Sequence, residues 1–224
     1  SKINQTSPHS PFEVSDKAKK LHKDLLIGDW HADSTLWNRD LSNQYDYGHV
    51  DIPRLQKGNV ALQMFTSVSK SPRGQNYNKN ETSANDNITS LVILQRWPIK
   101  TWSSLAERVI YQARKVRTLE KEDSQNFMLI LSQSDLNDFM QKRKSNSDLI
   151  GGLLGTEGSH ALDGELQNIE RLFDEGFRMM SLQHFFDNKL GGSLHGISGS
   201  GLTKFGQEAI KEMLRLGIMI DVSH

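Results

Sequence analysis

The sequence predicts an α/β fold built from parallel strands and amphipathic helices. Apolar, strand-like runs recur along the 224 residues, and the segments between them carry apolar residues at helical spacing. The runs are apolar on both alternations, which is typical of strands that are covered on two sides. Strands that alternate with helices in this way indicate parallel βαβ units.

The strands are recognised as short runs of apolar and β-branched residues. Five main strands and one short extra strand are expected, at residues 25–31, 59–68, 127–132, 149–158, 177–184 and 218–224. The extra strand is the one at 127–132, and the run at 149–158 is also rich in glycine.

The helix starts are marked by residues that can cap a helix through a side-chain oxygen. Candidate caps lie at Ser15, Ser104, Ser134 and Thr203. Ser104 and Glu107 together fit a capping box. A further helix is expected near 164–175, ending at Gly176, and Gly217 ends the last helix.

Two polar loops interrupt this alternation. The stretch 69–87 is long and polar, and loops of that length are often functional lids. The glycine-rich stretch 191–201 lacks the phosphate-binding pattern G-x-x-x-x-G-K-[ST], so we interpret it as a flexible loop. Asn80 in the first loop begins one of three Asn-X-Ser/Thr triplets, which often arise by chance.

The composition argues against several classes of partner and site. The 27 basic and 27 acidic residues cancel, which argues against nucleic acid or an anionic membrane as the main partner. No apolar stretch reaches the roughly 18 residues of a membrane-spanning helix. Cysteine is absent, so disulfides and thiolate metal sites are excluded.

The chain is expected to form one α/β domain over residues 1–224, with residues 1–14 as a flexible N-terminal arm. The arm is polar and contains Pro8 and Pro11. A parallel strand that ends at His224 needs a neighbour for its backbone groups. We therefore expect the domain to be truncated on its C-terminal side.

Four of the expected strands end in residue types that bind metals. His31 and Asp33 end the first of them, and Glu157, His184 and His224 end three later ones. In parallel α/β folds the C-terminal ends of the strands line the active site, so these side chains are expected to converge. Imidazole and carboxylate ligands without thiolate suit Zn²⁺, Mn²⁺ or Fe²⁺. Each residue alone has an ordinary structural explanation, but together they favour a metal site.

Other polar residues are weaker candidates. Asp29 either orients a ligand histidine or is an ordinary surface residue, and His49 is a loop histidine that could contact a substrate. His160 and Asp163 are expected at a helix start, where an aspartate is favoured by the helix dipole alone. No G-x-S-x-G nucleophile elbow is present, which argues against a serine hydrolase.

The metal-binding candidates lie in segments that resemble the renal, or membrane, dipeptidase family of zinc metallopeptidases. The matching segments, in the family's order, are DWHADSTLW, GHVDIPRLQKGNVALQMFTSV, GLLGTEGSHALDG, LFDEGFRMMSLQHFFDN and GLTKFGQEAIKEMLRLGIMIDVSH. They lie within residues 25–68 and 149–224, whereas residues 69–148 match less clearly.

The resemblance implies a distorted (β/α)8 TIM-like barrel, similar to the amidohydrolases, of which this chain holds roughly the first five strands. It also implies two divalent metal ions, zinc above all, at the mouth of the barrel. By motif, His31 and Asp33 bind one metal, Glu157 bridges both, and His224 binds the second. His184 matches a histidine that contacts the substrate, which replaces its interpretation as a ligand. Other residues of the family site would lie beyond this sequence, so the chain alone is expected to be inactive.

The activity implied by the resemblance is hydrolysis of the peptide bond of small dipeptides by a hydroxide that bridges the metals. Glu157 and His184 would be the catalytic residues, and a D-residue on the carboxyl side or a β-lactam ring would be tolerated. Two alternatives stay open: another amidohydrolase-type metal hydrolase acting on a cyclic amide or lactone, and a non-catalytic binding protein on the same fold. A homodimer also stays open.

Overall fold

Six strands alternate with helices in the computed structural model, which describes residues 4–224. The strands are β1 (Ile27–Ala32), β2 (Val60–Val68), β3 (Phe127–Leu129), β4 (Ile150–Glu157), β5 (Phe177–Ser181) and β6 (Met219–Asp221). The helices are α1 (Asp16–Asp24), α2 (Ile52–Lys57), α3 (Asn87–Leu94), α4 (Lys100–Ser103), α5 (Leu105–Glu122), α6 (Gln133–Arg143), α7 (Gln167–Asp174) and α8 (Lys204–Leu216).

The strands form a parallel sheet. β1 pairs with β2, β3 with β4, β4 with β5, and β5 with β6, each in parallel. The hydrogen-bonded order is β1-β2-β4-β5-β6, and β3 lies off this path. This arrangement confirms the predicted fold class, an α/β fold with the first strands of a (β/α)8-type barrel and one short extra strand.

The described chain divides into two compact units, and β2, β4 and α5 each contribute residues to both. Of the described residues, unit 1 holds 4–34, 39–65 and 116–153, and unit 2 holds 35–38, 66–115 and 154–224. The single domain over residues 1–224 and the arm over 1–14 stay predictions.

The core of unit 1 explains the glycines of β4. Ala61, Ile130, Phe139 and Leu149 are buried together in this unit. A Cβ at position 152 would overlap with the ring of Phe127, and one at position 151 would lie 2.6 Å from the side chain of Ile130. Glycine at both positions leaves the space that large side chains occupy against the backbone of β4.

The core of unit 2 contains the buried face of α5. Val109 and Ala113 are fully buried on this helix. The cap is only half of the predicted capping box: the Ser104 hydroxyl accepts a hydrogen bond from the Glu107 amide at 3.1 Å, but the Glu107 carboxylate pairs with Lys100 and Arg171.

Asp163 also caps α5, and this corrects the expectation that it starts a helix of its own. It follows a 3-10 turn, Ser159–Leu162, and has a positive φ of 50°. Its two carboxylate oxygens accept hydrogen bonds from the amides of Leu105 and Ala106, at 2.9 and 3.1 Å. The predicted stabilisation of a helix N-terminus by Asp163 is therefore real, but the helix is distant in sequence.

Several other boundaries are as predicted, and some differ. The strands expected at 177–184 and 218–224 are shorter, and each ends three residues before the predicted site histidine. Ser15 and Thr203 cap α1 and α8, and Gly217 ends α8 with a positive φ. The cap of α6 is Ser132 instead of the expected Ser134. The expected strand at 127–132 ends at Leu129, because the main chain then turns into that cap. Within residues 4–224, no helix has both the length and the apolar character to cross a membrane.

Candidate functional site

Three of the predicted site residues converge in unit 2. Glu157 is the last residue of β4, and His184 and His224 follow β5 and β6. Nε2 of His184 lies 3.4 Å from Oε1 of Glu157, and Nε2 of His224 lies 3.7 Å from the same oxygen. One ligand atom from each residue lies within 4.8 Å of the other two, which is compatible with a shared cation. Parallel strands deliver these side chains because their C-terminal ends share one edge of the sheet.

His184 has a defined tautomer. Its Nδ1 lies 2.9 Å from the backbone oxygen of Lys70, and a carbonyl can only accept, so Nδ1 carries a proton. In a neutral imidazole the lone pair of Nε2 would then face the carboxylate of Glu157. Two acceptors at this distance repel each other unless a proton or a metal cation lies between them. Glu157 and His224 offer a carboxylate oxygen and an imidazole nitrogen, which are ligand types that suit a divalent cation such as zinc.

The other two predicted ligands lie together in unit 1. His31 is in β1 and Asp33 comes directly after the strand, and Nε2 of His31 lies 3.4 Å from Oδ1 of Asp33. The two side chains therefore lie close enough to bind one cation together. Asp29 accepts a hydrogen bond from the backbone amide of His31 at 3.0 Å, so it fixes the end of the strand.

His49 and His160 contact other parts of the chain. His49 is exposed, and its Nδ1 lies 3.1 Å from Oδ1 of Asn4. His160 packs edge-on against Phe186 in the 3-10 turn after β4. Burial lowers the pKa of His160 to about 3, so this histidine is neutral at physiological pH.

The loop 69–86 is fixed at both ends by a buried ion pair that the sequence did not indicate. The Arg108 guanidinium, fully buried on α5, donates to the Ser69 backbone oxygen at 2.5 Å and to Asp86 at 2.8 Å. Asp86 also accepts a hydrogen bond from the Ser71 amide at 3.0 Å. These bonds hold both neighbours of Lys70, whose carbonyl fixes His184.

The carboxyl group of Asp86 has a lowered pKa. Burial alone would raise it, but hydrogen bonds from the Ser71 amide, the Thr89 hydroxyl and Arg108, with the charge of Arg108, outweigh the burial. Asp86 therefore stays ionised and keeps its place as the N-cap of α3.

His195 is a further residue near the trio, and sequence reasoning missed it. It is 9% exposed, its ring stacks on Phe185 with a centroid distance of 4.6 Å, and its centroid lies 5.2 Å from that of His224. Nδ1 of His195 lies 3.0 Å from the backbone oxygen of Tyr77. The only sequence signal is a histidine among glycines, which is why the segment was interpreted as a flexible loop.

This loop is instead held by specific hydrogen bonds. The Asp187 carboxylate accepts from the amides of Ser193, Ile197 and Ser198 at 2.8 to 3.0 Å. Asn80 donates from its backbone and its side chain to the oxygen of His195, at 2.8 and 2.9 Å. Asn80 is 4% exposed. Glycans are carried by surface asparagines, so the buried Asn80 does not act as a glycan acceptor in the folded protein.

The family model and the curated relative that match this chain are both described as dipeptidases. The profile of the family described as "Membrane dipeptidase (Peptidase family M19)" matches residues 15–224. Dipeptidase 3 of Mus musculus is 26% identical over 197 residues, which are 79% of this chain and 35% of that protein. The chain thus spans about a third of the length of this relative.

Two solved structures show the same fold. The crystal structure of the dipeptidase AC, a metallopeptidase of family M19, matches with a TM-score of 0.61 and 20% identity, covering 89% of this chain and 56% of the other. A metallopeptidase from Rhodobacter sphaeroides, solved with a phosphinate mimic of the dipeptide L-Ala-D-Ala, matches with a TM-score of 0.55 and 18% identity. It is covered to 59% of its length, and 89% of this chain is aligned.

Proposed function

Because the chain belongs to the membrane dipeptidase family, M19, we propose that the natural protein is a metal-dependent dipeptidase. It hydrolyses the peptide bond of small dipeptides. The observation that carries the proposal is the convergence of Glu157, His184 and His224 at the ends of three strands. The crystallised relative with a phosphinate dipeptide mimic supports the same substrate class.

Membership in this metallopeptidase family implies a divalent metal ion. We extend the proposal to two zinc ions: His31 and Asp33 hold one, His224 holds the other, and Glu157 is shared by both. A carboxylate suits the shared position because it has one oxygen for each cation. When bound, such cations activate a water molecule and polarise the peptide carbonyl.

His184 is proposed to contact the substrate. The Lys70 carbonyl fixes its ring, so that Nε2 presents a proton to the peptide oxygen when the imidazole is protonated. A hydrogen bond that strengthens as charge develops on that oxygen lowers the barrier by about 3–4 kcal/mol. Because the proton is held by a ring already in place, no reorganisation is needed in the transition state.

The direct test is an assay of the natural full-length protein with dipeptides, a lactone and a cyclic amide. We expect zinc-dependent hydrolysis of the dipeptides, loss of activity on chelation, and recovery on adding zinc back. Hydrolysis of the lactone or the cyclic amide alone would instead identify another amidohydrolase-type activity. A protein that binds no metal and hydrolyses none of these compounds would overturn the proposal in favour of a binding protein.

A further inference from the structure

A continuous group of rings leads from the histidines of the candidate site to the protein surface. The ring centroid of Phe185 lies 5.0 Å from that of His184 and 5.2 Å from that of His224. The ring of Tyr77 lies 5.8 Å from both Phe185 and His195. Phe185 is buried, whereas Tyr77 is 81% exposed. The outermost ring of this group is thus open to an incoming molecule.

Leu194 directly precedes His195 on the other loop. Its amide donates to the backbone oxygen of His224 at 2.6 Å, while its side chain is 77% exposed. Two large apolar side chains beside His195 are therefore exposed: Leu194, its neighbour in the sequence, and Tyr77, whose ring centroid lies 5.8 Å from that of His195. Exposed apolar groups beside a polar centre are typical of the walls of ligand sites.

Both side chains are carried by backbone that is already ordered. Asn80 joins the loop of Tyr77 to the oxygen of His195, and the Tyr77 oxygen in turn accepts from the ring of His195. Asp187 holds the turn that contains Leu194 through three amides. A site on such a support loses little conformational entropy when a ligand binds.

We propose that Tyr77 and Leu194 form an apolar subsite for one side chain of the dipeptide, so that the enzyme prefers dipeptides with a bulky apolar residue. The inference rests on the proposed dipeptidase function and specifies the substrate class. Phe185 forms the base of the subsite, next to His184 and His224. Transfer of an apolar side chain from water to this surface strengthens binding in proportion to the area covered.

The test compares kcat/KM for Leu-Gly, Gly-Leu and Gly-Gly with the zinc-loaded, full-length protein. We expect a preference for at least one leucine dipeptide over Gly-Gly. Tyr77→Ala and Leu194→Ser should each reduce that preference by roughly tenfold, mainly through KM. Tyr77→Phe should keep the preference, because it keeps the ring.

A matched control is Leu94→Ser on α3. Leu94 is 74% exposed, nearly the same as Leu194, and it should change neither the preference nor the activity. Equal kcat/KM for the three dipeptides, or a preference that survives both Tyr77→Ala and Leu194→Ser, would overturn the subsite while leaving the dipeptidase function intact. Absence of hydrolysis of every dipeptide tested would overturn both.

Discussion

The backbone oxygen of Lys70 lies 2.9 Å from Nδ1 of His184, although the two residues are 114 positions apart in the chain. This contact fixes the orientation of the ring whose other nitrogen faces Glu157. It also connects the polar loop after β2 to the candidate site. The loop predicted as a functional lid therefore contributes through its backbone at its first residues.

Replacement of His184 by alanine tests whether this histidine acts on the substrate or on the metal. We expect His184→Ala to retain the metal content and to lower kcat by about 10²–10³-fold, the cost of removing one oxyanion donor. Metal analysis and steady-state kinetics of the full-length protein measure the two effects. The exposed His9 offers a control substitution, and loss of metal from His184→Ala would show that it is a ligand.

Glu157→Gln tests the shared carboxylate. The substitution preserves size and removes the charge, so we expect the metal content to fall below two ions per chain and the activity to be lost. Metal analysis after dialysis measures this. Glu208→Gln, at an exposed position on α8, should leave the metal content unchanged. Full metal loading of Glu157→Gln would contradict the bridging role.

The Arg108–Asp86 ion pair should contribute strongly to stability. Arg108→Met leaves a mostly buried carboxylate without its partner, and we expect the free energy of unfolding to fall by about 3–5 kcal/mol. Urea denaturation measures the change. Arg114→Met on the same helix removes the more exposed ion pair with Glu175 and should cost at most about 1 kcal/mol. Equal costs for the two variants would mean that the buried pair adds no special stability.

The lowered pKa of Asp86 gives the loop 69–86 a dependence on pH. A carboxyl group whose pKa is lower in the folded state stabilises the fold above its unfolded pKa, for which the ordinary value is 3.8. This stabilisation is lost as the pH falls from that value through the folded pKa. We expect amide hydrogen exchange in the loop to accelerate, relative to the rest of the chain, over this acid range.

Asp86→Asn is the matched variant for that measurement. Its side chain cannot titrate, so the loop should be less stable at neutral pH and should lose the additional acid-dependent change. An identical pH profile in the wild-type protein and Asp86→Asn would assign the effect to another group.

The local features of the fold were predictable from the sequence, and the features made by distant contacts were not. Ser15, Thr203 and Gly217 act within one helical turn, so their pattern is visible in a short segment. Ser132 and Ser134 are both reasonable caps, and only the course of the main chain after Leu129 selects the first. Local patterns therefore predict a helix end where one capping residue is available, but they do not choose between two.

In the candidate site, too, the local pattern was predictable from the sequence and the distant contacts were not. Metal-binding residue types at strand ends were visible in the sequence, and three of them do converge in unit 2. The part played by His195 was not visible, because its position depends on Asn80, which is 115 residues away. Arg108 was also missed, since a guanidinium on the buried face of a helix is explained only by the loop that it holds.

The burial of Asn80 has a practical consequence for producing the protein. Oligosaccharyltransferases act on nascent chains at Asn-X-Ser/Thr, and the Asn80-Glu81-Thr82 triplet is accessible before folding. A sugar attached there could not fit between the two loops that this side chain joins. A chain glycosylated there would therefore lose the hydrogen bonds from Asn80 to the oxygen of His195, whereas a host without that machinery avoids the problem.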